Sequence, residues 1–283
     1  MEPESAAAET TPSLPPVIIS PVISLPVSRR RWWVHLLLLG VYPLVGVLVW
    51  LFSAGHKGTL IPGNTAGLLY GVCLELAMFS LVFALALRIS RASPEALLCA
   101  WRGRVRPIVL GLAYSLALRV VIFMGMLFVV ILMQLAGATP ESVAGHIRPK
   151  TEVLFDPQSL TNDPVYYWLM LTLVSFVMAG LREELWRSGM FAALSALYPK
   201  GFERWPGKLA AIALVALIFG LAHLPQGVGG VGVTLVLGLG LGAIMLGHRS
   251  IWEAVLAHGC FDASSFVMAH YLVTHHPNLI PGR

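Results

Sequence analysis

Residues 108–135 read IVLGLAYSLALRVVIFMGMLFVVILMQL, a run of 28 residues in which Arg119 is the one charged side chain. About 20 apolar residues are enough to carry a helix across the hydrocarbon core of a bilayer, and few buried helices of water-soluble proteins are this long and this apolar. The run therefore reads as a membrane span. Working outward, comparable runs occur at Val34 to Phe52, Ala66 to Leu87, Val165 to Gly180, Leu209 to Leu224, Val231 to Leu246 and Ile251 to Val273. The expected fold class is all-α, a polytopic transmembrane helical bundle of about seven spans. The fourth run continues into an amphipathic stretch, Leu181 to Tyr198, which leaves one long helix or two pieces open and the count between six and eight.

Composition agrees with this. Of the 283 residues 57% are hydrophobic and 12% charged, so little chain is left for a domain in water and the function must sit within the spans. Residues 1–28, rich in Pro, Ser, Ala and Glu, cannot bury enough apolar surface to order themselves and are expected as a disordered cytoplasmic tail. Residues 29–283 are then a single membrane-embedded domain. Arg29, Arg30 and Arg31 come too late for a signal peptide and precede a run long enough to be an anchor.

Lys and Arg cluster at Arg29 to Arg31, between Arg88 and Arg106, and at Lys200, Arg204 and Lys208. Basic residues at span ends orient membrane proteins with those ends inside. The expectation is a multi-pass protein of the cell membrane with a cytoplasmic N-terminus, whose partner is membrane lipid. The net charge of +5 is explained by this clustering, and no nucleic acid partner is expected. Cys73, Cys99 and Cys260 have no CxxC and no paired spacing, which supports neither a disulfide framework nor a thiolate zinc site. Gly238, Gly240, Gly242 and Gly247 make the sixth run glycine-rich. Without a strand and turn ahead of them they do not form a phosphate loop, and close helix packing is the expected role.

A charged side chain inside a span is expensive and asks for a partner or a purpose. The densest group is Leu181-Arg182-Glu183-Glu184-Leu185-Trp186-Arg187. Arg187 lies four residues from Glu183 and three from Glu184, so either carboxylate can pair with it. Neighbouring positions on a helix differ by about 100° in direction, so the two carboxylates cannot serve one spot. One is expected to be held by Arg187 while the other works in a cavity. Taken alone, the stretch fits a solvated interfacial turn equally well.

Two further groups change that balance. Phe219-Gly220-Leu221-Ala222-His223 ends the fifth run, and His258-Gly259-Cys260-Phe261-Asp262 sits in the seventh, with His258 and Asp262 at i, i+4 on one face. One glutamate, two histidines and an aspartate from three helices can activate a water. Glu75 and Arg119 are expected to form a structural pair between the second and third spans. His270 is expected at the interface and Glu253 at the membrane edge.

In this order the motifs EExxxR, FxxxH and HxxxD resemble those of the CPBP intramembrane protease family, which joins CAAX prenyl endopeptidases with bacteriocin-processing or immunity proteins. The resemblance runs from Glu183 to Asp262 and includes Gly247-His248-Arg249-Ser250-Ile251-Trp252. It implies an intramembrane endopeptidase acting on a membrane-associated or lipidated substrate, with Glu183 as the base for water, His223 assisting, and His258 and Asp262 completing the site. Glu184, Arg187 and Phe219 are supporting residues. The family has Asn or Asp at the last position. Asn can donate to an oxyanion and ionised Asp cannot, so Asp262 either carries a proton, or orients His258, or approaches a metal. Two mechanisms stay open: a metal-free water activated by glutamate, and a divalent metal, zinc by ligand type, held by Glu183, His223 and His258. A non-catalytic immunity or scaffold protein and a proton-coupled transporter are the other readings.

Overall fold

A computed structural model of the chain describes residues 27–52 and 59–276, and the tail expected over residues 1–28 lies almost wholly outside them. The described residues form eight principal helices: α1 (Arg29–Phe52), α2 (Thr65–Ser90), α3 (Arg106–Leu135), α4 (Pro140–Ile147), α5 (Pro164–Leu197), α6 (Trp205–Ala222), α7 (Gly227–His248) and α8 (Trp252–His275). Among the described residues there is no strand. The chain is a polytopic all-α membrane protein. Six helices, α1, α2, α3, α5, α6 and the stretch Leu224–His248 that contains α7, are long and apolar enough to cross a membrane. The helix expected as the seventh span, α8, has 24 residues, but Glu253, His258, Asp262 and His270 dilute its hydropathy.

Helix boundaries follow local chemistry. Asn64 caps α2 by accepting from the Gly67 amide. Asp163 caps α5 by accepting from the amides of Val165 and Tyr166, and its other oxygen takes the Thr65 hydroxyl at 2.7 Å, so one carboxylate ties the starts of α2 and α5 together. That Thr65 bond, followed by the Tyr166 amide, holds the Asp163 carboxyl below the usual carboxylate range. Pro107, Pro140, Pro164 and Pro206 sit in the first turns of their helices, where a missing N–H leaves nothing unsatisfied.

The fourth apolar run and the amphipathic stretch after it are one helix of 34 residues. Between Met170 and Arg182 it is wound as a π-helix, and the Ser175 hydroxyl donates to the Met170 carbonyl five residues back. Such winding is uncommon and frequently accompanies functional sites. Here it ends at Arg182, immediately before Glu183, so it resets the direction in which the two glutamates leave the helix.

α8 packs against α5 and α3, α6 pairs with α7, and α1 lies against α2 and the second half of α5. The main core joins Leu39, Trp186, Met190, Phe191, Phe219, Leu237 and Leu241 from four helices. Small residues set the closest approaches. A Cβ on Gly238 would stand 3.0 Å from the Phe219 ring and 3.2 Å from Ala216, so the glycines of α7 do serve packing, although Gly247 has nothing within 4 Å. A Cβ on Gly180 would lie 2.9 Å from the Val255 carbonyl oxygen, where backbone cannot give way. His35 is fully buried at the junction of α1, α2 and α5, with Nδ1 facing the Ala86 carbonyl and the Ser90 hydroxyl and Nε2 facing the Gly189 carbonyl. The link between Arg91 and α3 is stitched to the bundle by three successive carbonyls: Leu97 accepts from Ser188 of α5, Leu98 from the Ile251 amide and Cys99 from the Trp252 indole.

Replacing Gly180 by Ala should force α5 and α8 apart and lower stability by about 1–3 kcal/mol. Thermal unfolding of the purified protein in detergent measures this, and the change should exceed that of Gly247→Ala, which meets open space.

Candidate active site

The site is assembled from α5, α6 and α8. Glu184 points into the bundle, fully buried, and forms an ion pair with the fully buried Arg187. The same oxygen, Oε1, meets His258 Nδ1 at 3.0 Å. Because Nδ1–H donates to Glu184, the tautomer is fixed and Nε2 faces outward. That nitrogen lies 3.8 Å from Glu183 Oε2 and 3.9 Å from Asp262 Oδ2. These gaps are too wide for direct hydrogen bonds and suited to a bridging water or a substrate oxygen.

Glu183 leaves the helix in another direction. Its side chain is 18% exposed and that of Asp262 is 29% exposed, against 0% for Glu184. The two adjacent carboxylates thus occupy separate environments, and it is Glu184 that Arg187 holds. Glu183 is not free, however. Arg182 Nη2 donates to its Oε1 at 2.7 Å.

His223 follows the last residue of α6 and donates Nδ1–H back to the Phe219 carbonyl at 2.8 Å, which leaves Nε2 as an acceptor. Its charged neighbours are Glu183, His258 and Arg182. Phe219 stands at the centre of the group. Its ring meets His223 edge-on at 4.8 Å and His258 edge-on at 6.0 Å, and the Arg187 guanidinium sits 4.7 Å above it. One aromatic side chain therefore sets the spacing of both histidines and covers the cation that holds Glu184. The structure brings Glu183, His258 and Asp262 together directly and His223 beside them through Phe219.

One expectation is corrected. Glu75 and Arg119 do not pair. Glu75 binds Arg182 and accepts from the Tyr42 hydroxyl, because the middle of α2 faces α1 and α5. Arg119 is on α3, next to α8, and donates to the Phe261 carbonyl and the Ser264 hydroxyl, both at 2.6 Å, with its guanidinium 4.4 Å from the Phe261 ring. Its positive charge acts on Asp262 across the contact between α3 and α8. Glu253, in the first turn of α8, is fully buried, and its carboxylate has no hydrogen-bond partner among the described residues. His270 reaches the Leu160 carbonyl and stacks on Tyr167 at 4.5 Å. The sequence reading gave Arg182 no role, although its place beside Glu183 and the need of Glu75 for a cation were both visible.

For a metal ion the fit is poor. Among the described residues no group of three or more His, Cys, Asp or Glu side chains is arranged to hold one. The Arg182 guanidinium on Glu183 also places a cation against the carboxylate that a divalent ion would need.

Fold and site together define a multi-pass membrane protein with a glutamate–histidine cluster inside its helical bundle. Residues 164–264 match the family model described as type II CAAX prenyl endopeptidase Rce1-like, a match to the CPBP/CAAX protease family that the three motifs resemble. The matched stretch runs from the start of α5 into α8 and contains Glu183, His223, His258 and Asp262. No curated protein and no solved structure matches the chain.

The two glutamates should separate by mutation. Arg187→Met strands Glu184 as a buried, uncompensated charge and should destabilise the protein by about 3–5 kcal/mol. The double variant Glu184→Gln/Arg187→Met should recover part of that loss, whereas Glu183→Gln should unfold within a few degrees of the parent. Thermal unfolding of the four proteins in one detergent decides it.

Proposed function

We propose that this protein is an intramembrane endopeptidase that hydrolyses a peptide bond of a membrane-associated substrate with a water activated by Glu183 and the two histidines. The observation that carries the reading is the pairing of opposite environments on adjacent residues: Glu184, sealed in the core, fixes His258, while Glu183, accessible, faces the outward nitrogen of that histidine.

Glu183 Oε2 removes a proton from water as the hydroxyl adds to the scissile carbonyl carbon. His223 Nε2, an acceptor, takes the water's other proton in a hydrogen bond and orients its lone pair. His258 in its protonated form presents Nε2–H to the carbonyl oxygen as that oxygen becomes negative, with the Glu184 carboxylate behind it compensating the imidazolium. Asp262, one turn along α8, steadies the same nitrogen and is itself balanced by Arg119. Collapse of the tetrahedral intermediate breaks the C–N bond, and the proton on Glu183 passes to the leaving nitrogen, giving an amine and a carboxylic acid that loses its remaining proton to solvent. No step uses a metal.

Partly exposed carboxylates at span depth favour a cleft open to water, because hydrocarbon would not tolerate them. The cell membrane is the proposed location. The basic residues at the start of α1, the end of α2 and the start of α6 favour a cytoplasmic N-terminus. The family description favours a prenylated CAAX peptide as the first substrate to try.

Purified full-length protein in nanodiscs should cleave a fluorogenic farnesylated CAAX peptide or its unprenylated counterpart. Glu183→Gln, His223→Ala and His258→Ala should each lower kcat by about 100-fold or more, and 1,10-phenanthroline should leave the parent rate unchanged. Full activity in Glu183→Gln, or cleavage of neither peptide by the parent, would sink the reading. Inhibition by the chelator, reversed by zinc, would replace the metal-free mechanism.

A further inference from the structure

We propose that Glu75 and Tyr42, which lie on α2 and α1 outside the matched segment, are positioning residues of this site that act through Arg182 on Glu183. The inference rests on the reading of Glu183 as the base. Every side of the Arg182 guanidinium is engaged. Nε donates to the Met178 carbonyl at 3.0 Å within the π-helical stretch, Nη1 pairs with Glu75 Oε1, and Nη2 donates to Glu183 Oε1 at 2.7 Å. Tyr42 in turn donates to Glu75 Oε1 at 2.6 Å.

Charge accounting shows why Glu75 needs a reason. Arg182 and Glu183 alone would be a neutral pair, and a second carboxylate at span depth adds a charge that the pair does not require. Its effect is geometric. A guanidinium left alone with a carboxylate takes both oxygens in a fork. With Nη1 drawn to Glu75 and Nε fixed on its own helix, Arg182 can offer Glu183 a single nitrogen. Oε1 is thereby anchored and Oε2 is left facing His258 Nε2. Glu75 divides the attraction of Arg182, and Tyr42 holds Glu75 in the position that does so. The Glu75 side chain is 39% exposed, so it is not sealed in a packing interface.

The test uses the full-length protein and the two peptides named above. Glu75→Gln keeps the shape and one acceptor oxygen but removes the charge. It should lower kcat on the order of 10- to 100-fold with KM unchanged, as misplacement of a reacting group does. Glu75→Asp should recover part of the rate, and Tyr42→Phe should lower kcat in the parent and add nothing in the Glu75→Gln background. A second readout needs no turnover. Labelling of Glu183 by a hydrophobic carbodiimide, mapped by mass spectrometry, should fall several-fold in Glu75→Gln as Arg182 closes over both oxygens. Unchanged kcat with unchanged labelling, or a loss of rate that tracks loss of folded protein, would overturn the proposal. If the parent cleaves neither peptide, the hydrolase reading fails on its own, and the labelling still decides whether Glu75 controls the way Arg182 holds Glu183.

Discussion

The buried ion pair between Glu184 and Arg187 is the constraint on which the rest depends. Two charges removed from water are stable only when each has its counterpart in place, and the pair has no freedom to rearrange without leaving one of them stranded. Its oxygen also holds His258, and its guanidinium lies on the ring of Phe219, which spaces His223. One rigid electrostatic bond thus fixes residues from α5, α6 and α8. The expensive interaction is spent on orientation, and the accessible carboxylate next to it can stay reactive because it is not needed for the fold.

Around that centre a second tier of charges is shared more loosely. Arg182 divides itself between Glu75 and Glu183, and Arg119 caps polar groups of α8 next to Asp262. The inner pair is dry, and the outer carboxylates are partly open. This gradient from sealed to accessible across a few residues is what one helix can achieve when adjacent positions point about 100° apart.

Much of this was legible in the sequence, for physical reasons. A bilayer demands long apolar runs, so every span expected from composition is a helix in the structure, and α8 was readable despite its polar residues because its flanks are apolar. The Glu183–Glu184 division and the His258–Asp262 face followed from helical spacing alone. What could not be read were pairings between helices. Glu75 had two arginines to choose from, and only the adjacency of α2 to α5 and of α3 to α8 decides between Arg182 and Arg119. The π-helical stretch was equally hidden, since where nearly every residue is apolar a shift of phase leaves no mark on the pattern. The burial of Glu253 has no account in the contacts described.

The three carbonyls of Leu97, Leu98 and Cys99 reach beyond local tidiness. They fasten the second half of α5 and the start of α8 to one short loop. Helices in membranes of different thickness adjust by tilting. These two are fastened at one end by that loop and at the other by His270 on the Leu160 carbonyl and the Tyr167 ring. The helices that carry Glu184 and His258 are thereby held in register at both ends, and a change of tilt would have to move them together.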